Sequence, residues 1–264
     1  RAALEEDRIE AHFQPVVRLS DGAVIGAEAL ARIRATSGEL LQPAQFIDIA
    51  EDSGLIADLG ARVLTIAVGR LATWEARRIG DGPALSVAVN VSARQLADPA
   101  FPAVVADAVA DNAVRPEQVA LEFTESALIA ANPVTEMVLS ELTAIGVRIG
   151  LDDFGTGFSS LAYLKRFPID FLKIDRSFVS GLDDPEADSG VGDDTAIVTG
   201  TVALAHSLGL RVIAEGVETE SQLRRLQRLQ CDMAQGFHFS EPVTDAEFDR
   251  FLGRRFTEAP VSPN

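Results

Sequence analysis

Two adjacent acids, Asp152 and Asp153, close the apolar run Ile149-Gly150-Leu151. Acids at the end of a strand either cap the helix that follows or offer oxygens to a cation. Similar polar groups punctuate the other apolar runs. Glu28 lies in Val24 to Ala31, Asn90 ends Val87-Ala88-Val89, and Glu122 sits in Leu121-Glu122-Phe123-Thr124-Glu125. Lys173 lies in Leu172-Lys173-Ile174-Asp175, Glu215 follows Val212-Ile213-Ala214, and Gln235 stands in Ala234-Gln235-Gly236. Any one of them reads as a cap or a water-facing residue. Seven of eight strand-like runs carrying such a group point to one shared site. Carboxylates crowded in a buried place must protonate unless a cation offsets their charge.

Carboxylates and an amide, without Cys or His, select hard ions such as magnesium, manganese or calcium. Neighbouring carboxylates can serve two ions, Asp152 bridging them and Asp153 reaching the second. A pair of such ions suits in-line displacement at phosphorus. Lys173 in that setting can orient the attacking water or help deprotonate it. Arg32, four residues after Glu28, suits a phosphate oxygen or else forms a surface ion pair. Asp175 and Glu218 either support Lys173 and Glu215 or are ordinary helix-entry charges. Glu125 is an acid near a helix start or the anchor of the neighbouring loop. The Gly155-Thr156-Gly157 turn reads as a loop able to approach a ligand closely, or as a plain strand-to-helix turn. His12 and His206 read as structural, and His238 has no evident partner.

These groups need elements to hold them together. Eight candidate strands recur: His12 to Leu19, Val24 to Ala31, Leu85 to Val91, Val119 to Phe123, Val147 to Leu151, Phe171 to Ile174, Leu210 to Ala214 and Met233 to Phe239. Helical spacing lies between most of them, as in Leu59, Val63, Ile66, Leu71 and Trp74, with Gly80 as C-cap. Thr219 with Gln222 reads as a capping box before Leu223, Leu226 and Leu229. Alternation of strand and helix implies parallel pairing. Ser20-Asp21-Gly22 leaves room only for a hairpin, so the first strand runs antiparallel to the second. The pattern predicts an α/β fold, a (β/α)8 TIM-type barrel with its first strand reversed, with an open doubly wound sheet as the alternative. Gly181 to Asp194 reads as a mobile surface loop, with a helix starting near Thr195. Residues 1–8 read as a charged connector from an upstream domain, 9–252 as the barrel, and 253–264 as a tail whose stretch from Glu258 to Asn264 looks unstructured.

Composition narrows the partners. The 264 residues carry 23 Lys and Arg against 40 Asp and Glu, a formal charge of −17 that disfavours nucleic-acid binding. The lone Cys231 excludes an internal disulfide, suits a reducing compartment and reads as buried and inert. No run approaches the roughly 20 apolar residues of a membrane span, so the chain reads as soluble and cytoplasmic, or as the cytoplasmic part of a membrane-anchored protein.

Taken in order, Glu28-Ala29-Leu30-Ala31-Arg32, Asn90-Val91-Ser92, Glu122-Phe123-Thr124-Glu125 and Asp152-Asp153-Phe154-Gly155-Thr156-Gly157 resemble the EAL family of cyclic di-GMP phosphodiesterases. Lys173-Ile174-Asp175, Glu215-Gly216-Val217-Glu218 and Gln235-Gly236 continue the match, which covers roughly residues 9 to 252. The resemblance implies a barrel with a reversed first strand and hydrolysis of cyclic di-GMP to linear pGpG. It implies magnesium or manganese as the cofactor, in a two-metal site, with calcium inhibitory. By position the metal ligands are Glu28, Asn90, Glu122, Asp152, Asp153 and Glu215. Glu28, Lys173 and Glu215 carry the catalysis, and Lys173 holds the attacking water. Gln235 and Glu218, with Asp175, support the site or the substrate. Arg32 meets a substrate phosphate, Gln14 lies by a guanine, and Glu125 steadies the loop carrying Asp153. The resemblance also implies a homodimer formed near that loop and fusion to a sensory or GGDEF domain. Phe158 departs from a usual tyrosine, Gly236-Phe237-His238-Phe239 is less tyrosine-rich, and the Gly181 to Asp194 loop is longer. Two other readings stand beside the enzyme: a receptor that binds cyclic di-GMP without cutting it, and a barrel enzyme for another phosphoester.

Overall fold

Gly22 turns the chain back at a φ of +66°, where a Cβ would lie 2.2 Å from the Phe256 carbonyl oxygen, so only glycine fits the hairpin. Asp21 secures the same turn by accepting from the Arg18 guanidinium at 2.8 and 2.7 Å. β1 (Ile9–Arg18) and β2 (Val24–Arg34) therefore pair antiparallel, with Gln14 opposite Glu28. A computed structural model describes residues 1–77, 83–129, 132–155, 164, 166–183 and 193–256.

β3 (Leu40–Leu41) adds an antiparallel fringe to β2. β4 (Ser86–Asn90), β5 (Val119–Thr124), β6 (Arg148–Phe154), β7 (Phe171–Ile174), β8 (Arg211–Ala214) and β9 (Met233–Ala234) follow β2 in parallel succession. β9 then pairs antiparallel with β1, which also pairs with β2, and the sheet closes. The result is an eight-stranded barrel with its first strand reversed, and closure rules out the open sheet. The last strand is shorter than the apolar run from Met233 to Phe239 predicts. Gly236, at φ +157° with Val217 backbone atoms 2.2 Å from where a Cβ would stand, takes the chain out of the ladder after Ala234.

The helices are α1 (Ala2–Glu5), α2 (Ile47–Ser53), α3 (Ile56–Arg77), α4 (Ala93–Leu96), α5 (Phe101–Asp111), α6 (Glu125–Ile129), α7 (Pro133–Ile145), α8 (Arg176–Ser180), α9 (Asp193–Ser207), α10 (Glu220–Arg228) and α11 (Asp245–Phe248). α3 buries Leu59, Val63, Leu71 and Trp74 along one stripe, as its spacing predicts, and Trp74 stacks on Phe248 at 4.3 Å between ring centroids. The Thr219 and Gln222 capping box opens α10. Gly80, the Thr156-Gly157 part of the turn, Phe158, most of the stretch from Gly181 to Asp194 and the end from Glu258 onward lie outside the described residues. Residues 254–256 are fastened to the first hairpin, Phe256 donating to the Gly22 carbonyl at 2.7 Å.

The strands' two-residue period sorts side chains into two cores. Odd-numbered Val87, Val89, Leu121, Phe123, Ile149 and Leu151 join the large core between sheet and helices. Val16, Ala88, Ala120, Phe171, Ile213 and Met233 pack against one another in a separate cluster inside the barrel. Small residues make room there: a Cβ on Gly150 would lie 2.3 Å from the Phe171 ring. Glu28, Asn90, Glu122, Asp152, Lys173, Glu215 and Gln235 occupy the next in-facing positions toward the C-terminal ends of their strands.

Candidate active site

Lys173 is at the centre. Its side chain is 1% exposed, and its Nζ lies 2.7 Å from Glu215, 2.8 Å from Glu122, 3.3 Å from Asp152 and 3.5 Å from Glu28. Those acids come from β2, β5, β6 and the end of β8, so the cluster exists only once the barrel has closed. Asn90 donates to Glu28 Oε1 at 2.6 Å and Gln235 donates to Glu28 Oε2 at 2.6 Å. Gln235 also donates to Gln14 Oε1, and Gln14 donates to the Ser240 carbonyl.

Asp152 and Asp153 are aimed by a bulge. Leu151 pairs with Leu172 and Phe154 with Ile174, so three steps on β6 match two on β7, and one residue is extra. In a regular strand consecutive side chains point to opposite faces. Here oxygens of Asp152, Asp153 and Glu215 lie within 4.8 Å of one another. Asp153 adopts the left-handed region at φ +55°, which Asp tolerates better than most residues, and its amide donates to Asp152 Oδ1 at 2.9 Å.

The electrostatics follow from crowding. Burial pulls the Lys173 pKa down, but the fields of Glu122, Glu215, Glu28 and Asp152 overcome it and the net shift is well upward, so the ammonium persists. Burial pushes the Glu122 carboxyl well above its ordinary range despite Lys173, with Glu28 and Asp152 adding to the rise. Burial lifts Glu215 to about 7 and, with Asp152 and Asp175 nearby, raises Asp153 as well. Glu28 goes the other way: burial opposes it, but Lys173 and the Gln235 and Asn90 hydrogen bonds lower its pKa. Five carboxylates less one ammonium leave four negative charges when all are ionised, which two divalent cations would balance. The donors are oxygens, the Asn90 nitrogen serves Glu28, and the buried Gln235 Oε1 has no partner among the described residues. This donor set suits hard divalent cations.

The remaining predicted residues divide. Arg32 is buried, with one nitrogen on the Ala31 carbonyl and a buried Nε without a partner among the described residues. Glu125 is buried at the start of α6, which packs on β5 and β6. Asp175 caps α8 through Ser177, a helix-entry role. Glu218 is exposed, and its amide donates to Gln222. His206 pairs with Asp232 at 2.9 Å, and His238 meets Glu220 at 3.4 Å. His12, read as structural from the sequence, has a buried Nε2 without a partner among the described residues; standing two residues before Gln14, it shares the in-facing side of β1, a placement the strand period makes legible. Cys231 is buried, and desolvation pushes its thiol up to about 12.

A closed barrel with a ring of carboxylates at the C-terminal ends of its strands defines the class as a TIM-type barrel with an acidic mouth whose oxygens could hold a cation. The profile described as "EAL domain" matches residues 1–242, and the chain belongs to that family. It is 41% identical over 244 residues to the bifunctional diguanylate cyclase/cyclic di-GMP phosphodiesterase MucR of Pseudomonas aeruginosa, covering 92% of this chain and 34% of MucR. It is 39% identical over 254 residues to the signaling protein YkoW of Bacillus subtilis, covering 96% of this chain and 30% of YkoW. The chain thus spans about a third of the length of these relatives. Among solved structures, the PaMucR phosphodiesterase in complex with c-di-GMP superposes with a TM-score of 0.85 at 39% identity, covering 94% of this chain and 97% of that one.

Proposed function

We propose that the chain hydrolyses one phosphodiester bond of cyclic di-GMP, releasing linear pGpG, in bacterial second-messenger signalling. The observation that carries this reading is Lys173, buried among four carboxylates from four strands, in a chain of the EAL family. Two relatives support the substrate: MucR, and the cyclic di-GMP phosphodiesterase NbdA of Pseudomonas aeruginosa, 40% identical over 261 residues. Glu28, Asn90, Glu122, Asp152, Asp153 and Glu215 are the residues that would hold magnesium or manganese. Such cations supply Lewis acidity, acidifying water and offsetting charge on the phosphate.

The chain's own groups have separable tasks in this reading. Lys173 keeps its proton, because the surrounding acids raise its pKa, so it acts on the attacking water as a hydrogen-bond donor that orients it. Asn90 and Gln235 hold both oxygens of Glu28 and fix its direction. The guanidinium of Arg32, with its buried Nε unpartnered, meets a phosphate oxygen. Gln14 lies by a guanine, Asp175, Glu218 and Gln235 support the substrate side, and Glu125 steadies the loop that follows Asp153. The relatives' greater length supports fusion to a further domain, and exposed Val134 and Met137 on α7 support a homodimer that sedimentation would detect. We place this action in the cytoplasm; among the described residues no helix is long and apolar enough to cross a membrane.

The test is incubation of the purified chain with cyclic di-GMP and magnesium or manganese, followed by chromatography. Appearance of pGpG is the expected result, and tight binding without turnover would favour a receptor. Glu28→Ala is expected to abolish turnover, and retained activity would refute the site.

A further inference from the structure

The opposite end of the barrel holds a second polar cavity. It has a volume of about 530 Å³ and is lined by Arg18, Arg115, Arg148 and Arg211 together with the acids Glu117 and Asp232. In a chain of net charge −17, four arginines around one concavity are a local reversal of sign. Two of them are already neutralised: Arg18 makes a two-pronged pair with Asp21, and Arg115 lies 3.4 Å from Glu117. Asp232 is committed to His206 and to the Val212 amide. The guanidinium groups of Arg148 and Arg211 have neither a hydrogen bond nor an ion pair among the described residues.

Their placement is built by the strands. Arg148 on β6 shares the in-facing side with Gly150, and Arg211 on β8 shares it with Ile213, on the two strands that flank β7. Both also line a smaller cavity of about 280 Å³ that continues past Phe171 to Glu122. Asp170, which lines that inner cavity along with Glu122, accepts from the Ile149 amide through Oδ2. The usual account of exposed arginines is solvation on a convex surface; these two instead line one concave opening.

We propose that this N-terminal mouth binds a phosphate-class anion between Arg148 and Arg211. Arg148 and Arg211 have no ion pair among the described residues, Asp170 and Asp232 keep their own charges at the rim while accepting from backbone amides, and planar guanidinium forks match phosphate oxygens in pairs. The volume admits a phosphorylated small molecule up to nucleotide size.

Inorganic pyrophosphate, titrated calorimetrically into the metal-free chain with EDTA present, tests the site against potassium chloride at matched ionic strength. The expected result is saturable binding that Arg148→Gln/Arg211→Gln weakens by about tenfold or more, the loss of two charge-assisted contacts. Arg62→Gln, a surface arginine paired with Asp7 that lines neither cavity, is expected to leave that affinity unchanged. Equal affinity in the wild type and the double variant, heats matched by chloride, or an equal loss of binding in Arg62→Gln would each overturn the proposal. Circular dichroism is expected to show the double variant folded, since both side chains are solvent-exposed.

Discussion

Glu215 and Lys173 touch at 2.7 Å, yet burial still lifts the acid to about 7. A carboxylate pushed above its ordinary 4.5 binds its proton more tightly in the folded chain than in the unfolded one. Below pH 4.5 both states are protonated and the group has no effect. Between 4.5 and 7 the unfolded state loses the proton first, so stability falls as pH rises through that window and levels off above it. Metal-free wild type is therefore expected to lose stability relative to Glu215→Gln across pH 4.5 to 7, as urea denaturation with EDTA would show. A pH-independent difference would mean that the carboxyl is not held protonated. The same crowding explains why one lysine can remain charged in a buried place: four acids around it outweigh its desolvation.

At the scale of elements, the bulge at Asp152 and Asp153 and the glycine at 150 do different work on one strand. The bulge turns two consecutive acids toward one place, which a regular pleat forbids. Gly150 makes room for Phe171, which fills the barrel below the acids. Adding a methyl group there puts a Cβ 2.3 Å from a buried ring. Gly150→Ala is expected to cost about 1–3 kcal/mol by overpacking, and Phe171→Leu in the same chain to recover part of it. Additive losses in the double variant, read from denaturant midpoints, would show that the two positions do not share the space. The paired residues Asp152-Asp153 are plain in the sequence, but the bulge is not, because the extra residue is defined only against the register of β7.

For the whole molecule, the excess charge of the acidic mouth connects folding to ligation. A cation that binds the closed barrel and not the unfolded chain stabilises it by mass action, about 2.7 kcal/mol at one hundred times its dissociation constant. Manganese or magnesium is expected to raise the melting temperature of the wild type, and Asp152→Asn to reduce that rise. An equal rise in both would place the ions elsewhere. Much of this architecture is legible in the residues alone. The Ser20-Asp21-Gly22 turn reverses the first strand, the two-residue period marks which side of each strand faces inward, and the ordered acids give the family. Local chemistry suffices for these because turn geometry and strand period act over a few residues. The length of β9, the exposure of Glu218 and the shared cavity of Arg148 and Arg211 came only with tertiary structure. Each depends on groups far apart in the chain, whose distances and charges are set when the β1 to β9 pairing closes the barrel.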